Sequence, residues 1–341
     1  MLDLPLSVKY NYIIATHLLV KIMNCPECNS LPKKHGKDRK GNQRFRCLAC
    51  GKTYVEPQNK PLGEMRLTEE KALLCLNLLV EGNSIRSIER IANVHRDTIL
   101  NLLKVVGEKC LWLQENLVKN IKVTDVQADE IWAFVGMKQK TANEYGFGET
   151  EKVGSFYTFT AIESHSKLII AWHLGKRTEE DTLIFLEKLF LAIDGATNRF
   201  QMSTDAFKGY DHTVNEVLGT MADYGQIIKI YGKQNPDEVR YSSGNVIEII
   251  KKVICGKPIE DNISTSYVER SNLTMRMSMR RLTRLTNAFS KKFENLNYAI
   301  ALHFAYYNFC RIHKTIRCTP AMEAGLTKTV WTLKDLLNIN L

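Results

Sequence analysis

The stretch "VTDVQADEIWAFVGMKQK", Val123 to Lys140, decides the fold. Branched and aromatic residues fill its middle, so it reads as a β-strand. Two carboxylates, Asp129 and Glu130, sit side by side in it. Neighbouring strand residues point to opposite faces, so only one of the pair is expected to face a crevice beside the strand.

Working outward, "SFYTFTAIES" (155–164) and "KLIIAWHLGKR" (167–177) read as two more strands. "TEEDTLIFLEKLFLAID" follows as an amphipathic helix with Thr178 as its cap. Next come a strand in "FQMSTDAFKGY", a helix, and a strand in "GQIIKIYG". Three strands, a helix, a strand, a helix and a fifth strand describe a mixed five-stranded α/β sheet with an antiparallel start and a parallel remainder. Residues 233–262 read as a loop between the fifth strand and a late helix.

In that order Asp129 lies in the first strand and Asp205 at the end of the fourth. The two strands become neighbours if the early hairpin folds back and the crossover helix returns the chain beside strand one. Two carboxylates so close repel and raise a pKa unless a cation sits between them, and hard divalent ions such as Mg²⁺ take such ligands. Paired ions of this kind clamp the attacking and leaving oxygens of an in-line phosphoryl displacement.

A third acid is expected from "STSYVERSNLTMRMSMRRLTR", residues 264–284, where Glu269 stands alone among five arginines. A helix starting near Ser266 aligns Glu269, Asn272, Arg276 and Arg280 on one face. No acid follows between residues 270 and 292, which suits Arg270, Arg280, Arg281 and Arg284 to holding a phosphate backbone.

The N-terminal third carries two CxxC pairs, Cys25/Cys28 and Cys47/Cys50, 18 residues apart, a spacing that fits one structural Zn²⁺ with all four positions filled by thiolates. The loop between them is basic, with Lys33, Lys34, Lys37, Arg39, Arg44 and Arg46 as candidate phosphate contacts. Residues 66–119 turn to helical periodicity. Thr68 before Glu69 and Glu70 reads as a cap, Ile85, Ile88 and Ile91 mark one apolar face, and Ile99, Leu102, Leu103 and Val106 mark the next. The short break at Asn93–His95 gives a helix-turn-helix layout, whose later helix presents His95, Arg96, Thr98 and Asn101 to base edges.

The 341 residues are 44% hydrophobic with a net charge of +10, enough for a sizeable core and suited to a polyanionic partner. No apolar run approaches the roughly 20 residues that span a bilayer. Residues 1–22 lack a small-residue cleavage site and read as an extension or loose arm. Paired cysteines of metal spacing indicate a reducing, cytoplasmic setting.

These motifs together resemble bacterial insertion-sequence transposases of the DDE class, in particular the insertion-sequence-one family. The resemblance covers about residues 23–325 and rests on the CxxC pairs, on "ADEIW" at Asp129, "STDAFKGY" at Asp205 and "VERSNLTMR" from Val268 to Arg276. The "ADEIW" match favours Asp129 over Glu130 as the ligand. "YNFCRIHKTIRCTPAMEAGL" also resembles the tail after the last catalytic helix. The family implies a multidomain chain: a zinc ribbon (23–57), an all-α helix-turn-helix domain (66–119), an α/β ribonuclease-H-like catalytic core (122–325) and a tail (326–341).

It further implies that Asp129, Asp205 and Glu269 bind two Mg²⁺ (or Mn²⁺) ions, with Asn272 and Arg276 supporting the third acid. DNA, as terminal inverted repeats and target, is the implied partner, handled by a homodimer or larger oligomer near the nucleoid. Ser271 stands where a histidine is frequent, so no catalytic histidine is implied there. A DNA-binding regulator with an idle core and a ribonuclease-H-like nuclease remain alternatives.

Overall fold

The computed structural model describes residues 24–39, 41–55, 60–148, 152–195, 199–232, 245–283 and 286–341. The arm at 1–22 and Arg284 lie outside the described residues. Contacts divide the chain into two units, residues 1–60 and 61–341.

The first unit is a three-stranded antiparallel sheet of β1 (Pro32–Lys37), β2 (Gln43–Cys47) and β3 (Thr53–Val55), in that spatial order. Its apolar content is slight. Phe45 is buried and stacks on Tyr54 at 5.9 Å between ring centres, and among the described residues Cys25 and Cys47 are the other buried side chains of this unit. A sheet of this size with one buried ring needs a further tie to hold its shape.

The second unit begins with α1 (Glu69–Val80), α2 (Ile85–Ala92) and α3 (Arg96–Leu117). Thr68 caps α1 by accepting from Lys71 N, and Ser84 caps α2 by accepting from Ser87 N. Asn93, at φ +49°, reverses the chain in the left-handed region that Asn tolerates. Ile99, Leu102, Leu103 and Val106 are fully buried as the periodicity predicts. Ile91 differs: it is 57% exposed, and α2 instead buries Ile88 and Ala92, one turn apart. The third helix is long, running 22 residues from Arg96 to Leu117.

That helix lies against α8 (Phe293–Ala305), and Gly107 explains how closely: a Cβ there would meet Tyr298 Cβ at 2.5 Å. The helical segment therefore shares its hydrophobic core with the sheet that follows.

The sheet comprises β4 (Asp125–Val135), β5 (Gly154–Glu163), β6 (Ile169–Gly175), β7 (Phe200–Asp205), β8 (Ala222–Tyr231) and β9 (Val246–Cys255), ordered β6-β5-β4-β7-β8-β9. β4, β5 and β6 pair antiparallel, β7 lies parallel to both β4 and β8, and β9 returns antiparallel on β8. Strand one is thus beside strand four, as the crossover predicts. The expected five strands become six, because β9 forms inside the stretch read as a loop. "VIEIIKKVIC" places its apolar residues in pairs, which match neither the period of a half-buried strand nor that of a helix.

Short α4 (Gln139–Glu144) follows β4, α5 (Glu179–Ala192) and α6 (Tyr210–Leu218) flank β7, and α7 (Ser266–Ser278) crosses β4. Thr178 caps α5 through Asp181 N, as expected. Two short helices, α9 (Pro320–Glu323) and α10 (Leu333–Leu337), complete the unit. No helix among the described residues is long and apolar enough to cross a membrane.

Candidate metal centres

The register of β4 against β7 builds the first centre. Asp125, Val126 and Gln127 pair with Gln201, Met202 and Ser203, and the ladder ends there. Continuing the same offset puts Asp129 level with Asp205, just where the strands part. Residues level on neighbouring parallel strands face the same way. The parting leaves a crevice at the C-terminal end of β7, the usual place for a site in an open α/β sheet.

Asp129, Glu130 and Asp205 offer carboxylate oxygens that all lie within 4.8 Å of one another. Glu130 is the correction to the expectation of a single facing acid. Alternation does send the two neighbours apart: Asp129 accepts from Asn272 Nδ2 at 2.8 Å, while Glu130 pairs with Arg177 Nη2 at 3.3 Å. Asp205, at the strand end, reaches both sides. The same Arg177 nitrogen lies 3.4 Å from Asp205 Oδ2, and Phe207 N donates to Asp205 Oδ1 at 3.0 Å.

The electrostatics follow from burial and like charge. Burial, reinforced by the Asp205 charge, pushes Asp129 up to about 7 and Glu130 up to about 8. Glu269 adds a smaller push on Asp129. The carboxyl of Glu130 draws on the buried Tyr210 hydroxyl, yet its Oε1, shut away from solvent, lacks a well-formed hydrogen bond. Three hard oxygen donors, one of them under-satisfied, fit a divalent cation of the Mg²⁺ or Mn²⁺ kind.

Glu269 sits outside this group. It occupies the first turn of α7, held by Lys229 Nζ of β8 and by Thr265 Oγ1, the latter at 2.5 Å. What brings α7 near the acids is a residue that sequence reading passed over. Gln127, buried in β4, accepts from Tyr267 N at 2.8 Å and Val268 N at 3.4 Å, meeting amides that the start of a helix leaves unpaired. Together with Asn272 on Asp129 it ties α7 to β4 at two points a turn apart. Neither Gln127 nor Arg177 carries a local signature, since their meaning depends on partners far along the chain.

Arg276 donates from Nη1 to the Leu282 carbonyl at 3.4 Å. Because α7 ends at Ser278, Arg280 lies beyond it and leaves the shared helical face expected for it. Arg270 and Arg280 are exposed, whereas Arg281 is half-buried with its Nη2 closed off from solvent.

The second centre lies in the first unit. Cys25, Cys28, Cys47 and Cys50 bring their sulfurs within 4.8 Å of one another, with Cys25–Cys50 at 3.5 Å and Cys28–Cys47 at 3.3 Å. Four thiolates about 2.3 Å from one ion stand roughly 3.8 Å apart, so the cluster fits tetrahedral Zn²⁺ with no open position. Hydrogen bonds from Ser30 hold the Cys28 thiol down to about 6, which favours the thiolate that a metal requires. Around it Lys33, Lys34, Lys37, Arg39 and Arg46 are exposed and Arg44 is half-buried.

In the helical segment, Arg96 and Asn101 are exposed and Thr98 is half-buried. His95 precedes the first turn of α3 and caps it, its Nδ1 accepting from Asp97 N at 3.3 Å.

No protein-family model matches the chain, and no curated protein matches it. Among solved structures, endonuclease V of Bacillus subtilis is similar at 13% identity over 61% of this chain and 90% of that one, with a TM-score of 0.20. So slight a likeness transfers neither fold nor chemistry.

Proposed function

We propose that the chain is a DDE transposase of the insertion-sequence-one kind, a metal-dependent phosphoryl transferase acting on DNA, with a ribonuclease-H-like core. The observation that carries this reading is the convergence of Asp129 and Asp205 at one level of neighbouring parallel strands, beneath a helix whose first turn bears Glu269. Divalent ions in such a group would polarise the scissile phosphate and lower the pKa of attacking water.

Asp129, Asp205 and Glu269 would hold them, with Glu130 a fourth donor that the sequence reading set aside. Asn272 orients Asp129 by donating to Oδ2, which leaves Oδ1 for an ion. Glu269, now paired with Lys229, would join the group by exchanging that ammonium for a cation of higher charge. Arg177 balances the acids on the side away from α7. The four-thiolate module and the α2–α3 pair each offer a binding surface for element ends, and pairing those ends calls for at least a dimer.

The test is cleavage of supercoiled plasmid bearing candidate inverted repeats, with Mg²⁺. Nicking followed by strand joining is expected, and Asp129→Ala, Asp205→Ala and Glu269→Ala should each abolish it. Cleavage that persists in all three variants would overturn the assignment. Tight DNA binding without any cleavage would point to a regulator.

A further inference from the structure

A cavity of about 810 Å³ opens between the start of α2 and α3 and the stretch that joins α7 to α8. Five cations line it: Arg86 and Arg96 from the helical segment, and Arg280, Arg281 and Lys291 from the joining stretch. No aspartate or glutamate lines it among the described residues.

Arg281 is the decisive side chain. Its Nη1 donates to Ser290 Oγ at 2.8 Å, while its Nη2 is closed off from solvent without a partner. Burial lowers the guanidinium to about 10, still far above neutrality, so the enclosed charge persists. An uncompensated buried charge is strongly unfavourable, and an anion in the cavity removes that penalty. His303, at the same wall, is pushed down to about 4 by burial and adds no charge. The wall is also joined to the catalytic strand, since Gly136 N, just past β4, donates to Ser290 O at 2.9 Å.

We propose that this cavity is a phosphate site, separate from the carboxylate group, that seats a backbone phosphate of a nucleic-acid strand between Arg281 and the rim cations. Planar guanidinium groups suit the paired oxygens of a phosphate better than ammonium groups do. The anion chemistry stands on the cavity alone, and the identification of the strand as DNA rests on the transposase reading.

Fluorescence anisotropy of a labelled mixed-sequence DNA duplex with the full chain, across a salt series, tests it. Arg281→Gln and the rim variant Arg86→Gln should each weaken binding about tenfold and lower the salt slope by about one. Wild-type affinity and slope in both variants would overturn the site while leaving DNA binding intact. An unaltered chain that binds no DNA would remove the site and the transposase reading together. Melting raised by millimolar inorganic phosphate, with DNA binding unchanged in both variants, would make this a free-anion site and overturn the strand assignment.

A second inference rests on β9 alone. This edge strand exposes Val246, Ile247, Ile249, Ile250 and Val253, apolar side chains on both of its faces. An open, apolar edge is a template for another strand. Its charges select which one. In an antiparallel pairing of β9 with the same strand of a second copy, centred on Ile250, Glu248 faces Lys252 twice and Ile247 faces Val253 twice. The pairing of β9 with β8 runs without a bulge from Glu248 to Val253, so the backbone over this span is regular.

We infer that two copies join through β9 into one continuous sheet. Sedimentation of the full chain should show a dimer, Glu248→Lys and Lys252→Glu should each yield monomers, and the double exchange should restore the dimer. A monomeric unaltered chain, or single variants that remain dimeric, would overturn the pairing.

Discussion

The two candidate metal centres gather their side chains in opposite ways. The cysteines come from two tight turns that bracket the basic β1–β2 pair, a stretch read as a loop from sequence, in a sheet with one buried ring. The carboxylates come from strands joined only through a hairpin and a crossover helix, and they sit on a sheet whose core is already complete. In the first case a bound ion would make the fold; in the second the fold makes the site. Like charges teach the same lesson. Hydrogen bonds from Ser30 already favour the Cys28 thiolate before a metal arrives, whereas the sheet forces Asp129 and Glu130 together and raises both, so that they hold their protons.

The largest effect expected from this contrast is on the thiolate side. Structural zinc binding of this kind carries on the order of 10 kcal/mol or more. Cys47→Ser, or chelation of the full chain, should therefore unfold residues 24–55, with loss of amide protection confined to that unit in hydrogen-exchange measurements. Protection lost equally from β4 to β8 would erase the contrast.

On the carboxylate side the same manipulation should leave structure and remove chemistry. Asp205→Asn should reduce Mg²⁺-dependent cleavage by roughly a thousandfold or more, since it removes stabilisation needed where charge develops. Its melting temperature should rise at alkaline pH, because Asp205 is the charge that most raises Asp129 and Glu130 after burial. A variant that melts lower and keeps its activity would assign Asp205 to the fold.

What the sequence disclosed follows the same division. The cysteine pairs are local in the chain, so spacing alone locates them. The alignment of Asp129 with Asp205 was also legible, because handed crossovers leave few ways to order the strands. Glu130 was set aside by an alternation that β4 keeps, and it comes near the other acids because Asp205, at the end of β7, reaches both faces. β9 was missed because its exposed apolar pairs break the usual alternation. Ile91 marked a face by periodicity, yet burial shifted to Ala92. Gln127, Arg177 and Lys229 acquire meaning only from contacts across the fold, and no spacing announces those.

Gln127 offers an intermediate test. Gln127→Ala leaves the amides of Tyr267 and Val268 unpaired beside a buried wall, a loss of about 1–3 kcal/mol. Thermal melting should record it. Cleavage should fall further than stability explains, since the turn bearing Glu269 loses its anchor. A Glu substitution, which keeps an acceptor oxygen, should restore much of the stability while adding another carboxylate to an acidic site. Equal stability in Gln127→Ala would show that Asn272 alone secures α7.

The last effect is a linkage between protons and cations at the carboxylates, and its sign can be worked out. An exposed carboxyl releases its proton near pH 4, whereas Asp129 and Glu130 hold theirs to about 7 and about 8 when folded. Between those limits the folded chain binds more protons than the unfolded chain, so stability without metal falls as pH rises through the window and levels off above it. A divalent ion must displace those protons, so its binding tightens over the same interval and its stabilising effect grows with it. Mg²⁺ should therefore raise the melting temperature more at pH 8 than at pH 6, and Asp129→Asn should flatten that difference. The four-thiolate unit has no part in this response, so a Cys47→Ser chain should retain it. An Mg²⁺ shift equal at both pH values would mean that the carboxylates bind the ion without giving up protons, contrary to the raised pKa values that their crowding imposes.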